Sequence, residues 1–147
     1  MPEKRHFITP GEEKRIVDAV AAAEKNNSGE IRVHIESHCP EANILDHAAN
    51  VFTELGMYNT RHHNGVLIYI AFKDRRFAVI GDSGMHTIVG DEFWEEVKEK
   101  MREEFKNGKM AEGIIHGIER AGEILQAHFP RGAEDTNELP DEISHGE

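Results

Sequence analysis

An α/β/α sandwich built on a small mixed β-sheet is the fold class predicted for this chain of 147 residues, and three observations predict it. Residues 66–72 are almost all apolar, β-branched or aromatic, the composition of a strand covered on both faces. A charged break at Lys73, Asp74, Arg75 and Arg76 separates that run from a second one at 77–80, which makes the two strands antiparallel neighbours. The whole order reads helix, strand, helix, strand, strand, helix, helix, and a sheet buried between helical layers accommodates it.

The elements follow in turn. Thr9, Pro10 and Glu12 form a capping box with Pro at the first helical position, so a helix is predicted over 10–25 with Ile16, Val17, Val20 and Ala23 as its buried stripe. Asn26, Asn27, Ser28 and Gly29 end it. Residues 30–36 alternate apolar Ile31, Val33 and Ile35 with polar partners and read as a half-exposed edge strand, with His34 on the wet side. A second helix over 43–55 carries Ile44, Leu45, Ala48, Val51, Phe52 and Leu55 on one side, and Gly56 terminates it. A crossover through this helix makes strands 30–36 and 66–72 parallel.

Asn64 and Asp82 then lie at one end of the sheet and Asp74 at the other. After Gly84 an irregular stretch is expected up to Gly90 and Asp91. There a third helix begins, with Phe93, Val97, Met101 and Phe105 at four-residue intervals. A fourth is predicted over 110–129, its Ile114, Ile118, Ala121 and Leu125 inward and its Gly113 and Gly117 allowing close approach of a neighbour. Residues 1–129 form one domain by this reading, and 130–147 an acidic, disordered tail.

Composition bounds the partners. A net charge of −11 without a basic stripe argues against nucleic acid and anionic membranes, and favours a cation. Cys39 is the only cysteine, which rules out an intrachain disulfide, and its isolation suits a small buried side chain. The N-terminus has no apolar signal region, and no stretch approaches the roughly 18 apolar residues of a membrane span. The expectation is a soluble, cytoplasmic protein.

The hairpin and its flanks resemble a known family. Asn64, Gly65, Val66 and Leu67 opening an apolar strand, then Asp74-Arg75, a second strand and a glycine loop, are similar to the TPM domain of a thylakoid photosystem II repair protein and of many bacterial proteins. Ser28-Gly29-Glu30-Ile31, residues 48–56 and Phe105-Lys106-Asn107-Gly108 add to the resemblance, which spans about 8–129. It implies an α/β/α sandwich, divalent-cation binding in acidic loops for some members, and acid phosphatase activity for others. This chain departs from many relatives at Gly81-Asp82-Ser83-Gly84, where a shorter Gly-x-Gly is usual and an acidic residue follows; here Met85 and His86 come next.

From the residues themselves, oxygen ligands gather at one sheet end. Asp82 in a glycine-flanked loop, Asn64 on the neighbouring strand, and Asp91 and Glu92 at the third helix are predicted to converge on one or two divalent ions, calcium foremost, since hard cations collect six to eight oxygens. The plainer reading makes Asp82 a turn cap and Asp91 and Glu92 helix caps. His62 and His63 point to opposite sides of an extended segment, so at most one joins such a site. His38 with Cys39 lacks a second pair at zinc spacing, and His47, His86, His116 and His128 share none. Asp74 with Arg75 and Arg76 reads either as a charged turn or as the nucleophile and clamp of a phosphatase. Cation binding is the first functional expectation. Metal-assisted phosphomonoester hydrolysis is the second, and docking of a basic protein surface the third.

Overall fold

The computed structural model describes residues 8–25, 27–60, 63–130 and 144–145, with the side chains of 86–87 and 144–145 left aside. Helix α1, Pro10–Glu24, starts with the predicted capping box: Thr9 Oγ1 accepts from the Glu12 N–H at 3.1 Å, and Glu12 Oε1 accepts from the Thr9 N–H at 2.8 Å. Strand β1 covers Glu30–Glu36, helix α2 Ile44–Glu54 and strand β2 Gly65–Ala71. A single 3₁₀ turn at Phe72–Asp74 leads into strand β3, Arg76–Gly81, with Arg75 in the left-handed region at φ 56°. Helices α3, Ser83–Lys106, and α4, Met110–His128, follow.

The sheet has the order β3-β2-β1-β4, where β4 is the short strand Ser144–His145. β1 and β2 run parallel with Ile31 opposite Val66, β2 and β3 run antiparallel with Leu67 opposite Ile80, and β4 pairs in parallel with His34 and Ile35. The rest of the predicted tail, 131–143 and 146–147, lies outside the described residues.

Period-two alternation along β2 divides the core. Val66, Ile68 and Ile70 join Ile31, Val33 and Ile35 under α1, α3 and α4, while Leu67, Tyr69 and Ala71 meet Ala48, Val51 and Phe52 of α2. Each β2 residue is therefore buried, as its composition predicted. Three helices cover one face and one helix the other. Gly113 and Gly117 do serve close approach: a methyl group at the first would overlap the Phe105 ring, and at the second the Met101 sulfur and Ile68.

Two sequence expectations are corrected. β1 is neither half exposed nor an edge strand: Glu30 and His34 are buried along with its apolar residues, β4 pairs along its outer side at His34 and Ile35, and His47 of α2 and Tyr69 of β2 close over Glu36. Helix α3 does not wait for Asp91. It starts at Ser83 and continues through a break at Gly90, whose φ of 70° and ψ of −175° are open to glycine. Gly84, Gly90 and the polar residues between them hide this run from a propensity reading, but burial of Met85 against the sheet holds it in helix.

Candidate functional site

At the amino end of β2, Asp82 is the N-cap of α3. One of its carboxylate oxygens accepts from the Ser83 N–H at 2.7 Å. The other, Oδ2, is out of contact with solvent and has no hydrogen-bond donor among the described residues; the His63 imidazole stands 3.5 Å from it. Backbone bonds tie the two loops, from the Asp82 N–H to the Gly65 carbonyl at 2.9 Å and from the Gly84 N–H to the His63 carbonyl at 2.8 Å. His63 is itself left-handed at φ 52°, a conformation that costs a non-glycine residue energy and that the surrounding bonds impose. Asp82 also edges a shallow groove of about 310 Å³ lined by Ala49, Phe52, Thr53, Tyr58, Ile80 and Gly81.

The four oxygen donors read from the sequence do not converge. Asp82 continues the register that places it opposite Gly65, whose open side faces Phe52 and Met57 on the α2 face. Asn64, fully buried, faces the other way: its Nδ2 donates to Ser28 Oγ at 3.3 Å, leaving its Oδ1 without a donor. Asp91 and Glu92 are exposed, beyond the helical run 83–89 and the Gly90 break, a run that rises roughly 10 Å. Among the described residues, no three His, Cys, Asp or Glu side chains are grouped to hold a metal ion. Of the predicted set, Asp82 and Asn64 each keep one buried oxygen without a hydrogen-bond donor among the described residues, and the two face opposite sides of the sheet.

The carboxyl ends of β1 and β2 hold a different constellation, which the sequence reading missed. Glu36 sits at its centre: Oε1 accepts from the Tyr69 hydroxyl at 2.6 Å and faces His47 Nε2 at 3.0 Å, while Oε2 faces His34 Nε2 at 3.1 Å. The second His47 nitrogen, Nδ1, meets Glu41 Oε2 at 3.0 Å, and Asn50 Nδ2 donates to that same oxygen at 3.1 Å. His34 stacks on the Tyr69 ring at 6.0 Å and His47 meets it edge-on at 5.3 Å.

Their acidities follow from this packing. Burial pushes the Glu36 carboxyl up, but the bonds from Tyr69, His34 and His47 outweigh it and hold the group below the usual glutamate value. Burial lowers the His34 pKa and prevails over its bond to Glu36. For His47 burial also lowers, but the bonds to Glu41 and Glu36 overcome it and raise the pKa. Burial and the Glu36 bond push the Tyr69 hydroxyl far up.

The signal in the sequence was the four titratable alternates of β1, Glu30, Arg32, His34 and Glu36, on one strand face, together with a tyrosine inside an otherwise apolar β2. The expectation of an exposed His34 is corrected accordingly. At the same end Asp74 accepts from the Cys39 N–H and meets His38 Nδ1, each at 2.7 Å. Asp74 thus serves the turn and the loop beside it. Arg76 donates to the carbonyls of Glu41 and Ala42.

A sheet flanked by three helices on one side and one on the other, with a parallel pair extended by an antiparallel hairpin strand, defines an α/β/α domain of mixed strand direction. Residues 3–124 match the TPM domain, and the chain belongs to that family. The NMR structure of the BA42 protein from the psychrophilic bacterium Bizionia argentinensis is similar over 99% of this chain and 100% of that one, at 45% identity and a TM-score of 0.88. Two solution structures share the fold: an N-terminal domain from P. gingivalis, at 19% identity and a TM-score of 0.67 over 84% of this chain and 79% of that one, and the N-terminal domain of the cg2496 protein from Corynebacterium glutamicum, at 14% and 0.59 over 88% and 80%. No curated protein matches the chain.

Proposed function

We propose that this TPM domain binds a divalent cation, calcium in the first instance, at the Asp82 loop. The observation that carries this reading is the Asp82 Oδ2 atom, which lies out of solvent and, among the described residues, has no hydrogen-bond donor and an imidazole 3.5 Å away. An unpaired carboxylate oxygen in such a place costs about 1–3 kcal/mol, more when charged, and a cation offsets that cost. The groove beside Asp82 leaves room for the waters that complete the shell of a hard ion. The net charge of −11 raises the local cation concentration without choosing the site. A site with few protein ligands also leaves coordination positions for a phosphate, which is the ground on which phosphomonoester hydrolysis stands as the second reading.

Titration of the labelled protein with calcium and with magnesium, followed by NMR and calorimetry, tests the proposal. Saturable shifts at Gly81, Asp82 and Ser83 are expected in the wild type and are absent from Asp82→Asn. Equal binding by that variant, or no binding heat in the wild type, sinks it. Metal-dependent nitrophenol release from nitrophenyl phosphate, lost in the same variant, promotes the second reading.

A further inference from the structure

The His47 side chain stands between two carboxylates. Glu36 Oε1 lies 3.0 Å from one ring nitrogen and Glu41 Oε2 lies 3.0 Å from the other. An ionised carboxylate only accepts, so an imidazole bonded to two of them needs a hydrogen on both nitrogens and is an imidazolium. Both carboxylates carry the further donors of ionised groups: Tyr69 on Glu36 and Asn50 on Glu41.

The two are placed very differently. Glu36 is 14% exposed and is fixed from three sides by His34, His47 and Tyr69, whereas Glu41 is 41% exposed and belongs to residues 37–43, a stretch without helix or strand. That stretch lies over the carboxyl ends of the parallel strands, the end where open α/β sheets take their ligands. Its other attachments are the Asp74 bonds to Cys39 and His38, the Arg76 bonds to the Glu41 and Ala42 carbonyls, and the Lys73 N–H to the Ser37 carbonyl at 2.9 Å.

We propose that His47 is a proton-operated clasp: charged, it fastens residues 37–43 over the carboxyl end of the sheet, and neutral, it lets Glu41 go. The groups that face it from each neighbour decide the direction. From β1 come Glu36 and, through Glu36, His34; Arg32 acts on His34 from the same strand. The 37–43 stretch gives Glu41, β2 gives the Tyr69 hydroxyl, and α2 adds Asn50 beside the His47 it carries. When the imidazolium loses a proton, one bare nitrogen faces an anionic oxygen. Glu36 is held by two other donors, so the half-exposed Glu41 is the partner that turns into water. Burial works against the charged ring and the two carboxylates outweigh it, which places release above the ordinary histidine value. Release uncovers Glu36 and Tyr69 at the carboxyl end.

NMR of the whole chain tests this directly, by following the His47 ring resonances with pH and the amide-exchange protection of residues 38–43 relative to free-peptide rates. His47 is expected to titrate above about 6.5. Protection of 38–43 should fall about tenfold through that same midpoint, the worth of one charge-assisted hydrogen bond. Glu41→Gln should lower the midpoint and erase the step, and His47→Gln should erase it while leaving the fold intact. A midpoint at or below about 6.5, or protection that does not follow the ring, overturns the proposal.

Discussion

The two ends of one sheet treat a carboxylate in opposite ways. At the carboxyl end Glu36 is surrounded by a phenol and two imidazoles, so its charge is matched and its geometry fixed. At the amino end Asp82 has, among the described residues, one backbone donor on one oxygen and none on the other. A satisfied buried network is structural by default, because removing one member strands the rest. An unsatisfied oxygen is where an external group gains most. The difference separates the acidic site that the sequence reading named, Asp82, from the one it missed, Glu36.

Removing Glu36 is the harshest way to probe that contrast. Glu36→Leu removes the acceptor shared by the Tyr69 hydroxyl, His34 Nε2 and His47 Nε2, and denaturant unfolding should show a loss of about 3–5 kcal/mol. A loss below about 1 kcal/mol would erase the distinction between the ends. Asp82→Ala removes a helix cap, and its expected cost, read from the same measurement, is about 1 kcal/mol. Asp82→Asn keeps the cap and drops the charge, so a stability equal to or above wild type without added metal would show the orphaned oxygen to be a standing cost.

The smallest effect is confined to pH. His34 and Glu36 have folded pKa values below their unfolded ones, so the stability they give is present above those unfolded values and is lost as pH falls through the folded ones. His47 has the reverse shift: its contribution is full below the unfolded value and is lost as pH rises through the folded one. Stability profiled against pH should therefore decline on both flanks, and Glu41→Gln should flatten the alkaline flank while leaving the acid one.

Much of the fold was legible because local and global signals agreed. Thr9, Pro10 and Glu12 cap α1 as their order requires, and the even apolar burden of β2 forecast its two covered faces. Where tertiary packing overrides local preference, the reading failed. The run 83–89 looks like a loop because Ser83, Gly84, His86 and the β-branched Thr87, Ile88 and Val89 are weak helix formers, and the docking of Met85 is not visible in one dimension. The Glu36 network joins residues 11 and 33 positions apart, and no spacing rule spans such distances. Asn64 and Asp82 were rightly placed at the same sheet end, but the face each presents depends on register, and a single residue reverses it.

The backbone break at Gly90 makes α3 two helices, the first of them residues 83–89. An isolated helix needs roughly 12–15 residues to hold itself together, so this short one exists only while docked. The general physics of local opening predicts a melting equilibrium of its own for this run, weaker than that of the sheet. Asp82 is its first anchor. An ion or partner seated there would change how often that unit melts more than it would change the shape of the domain.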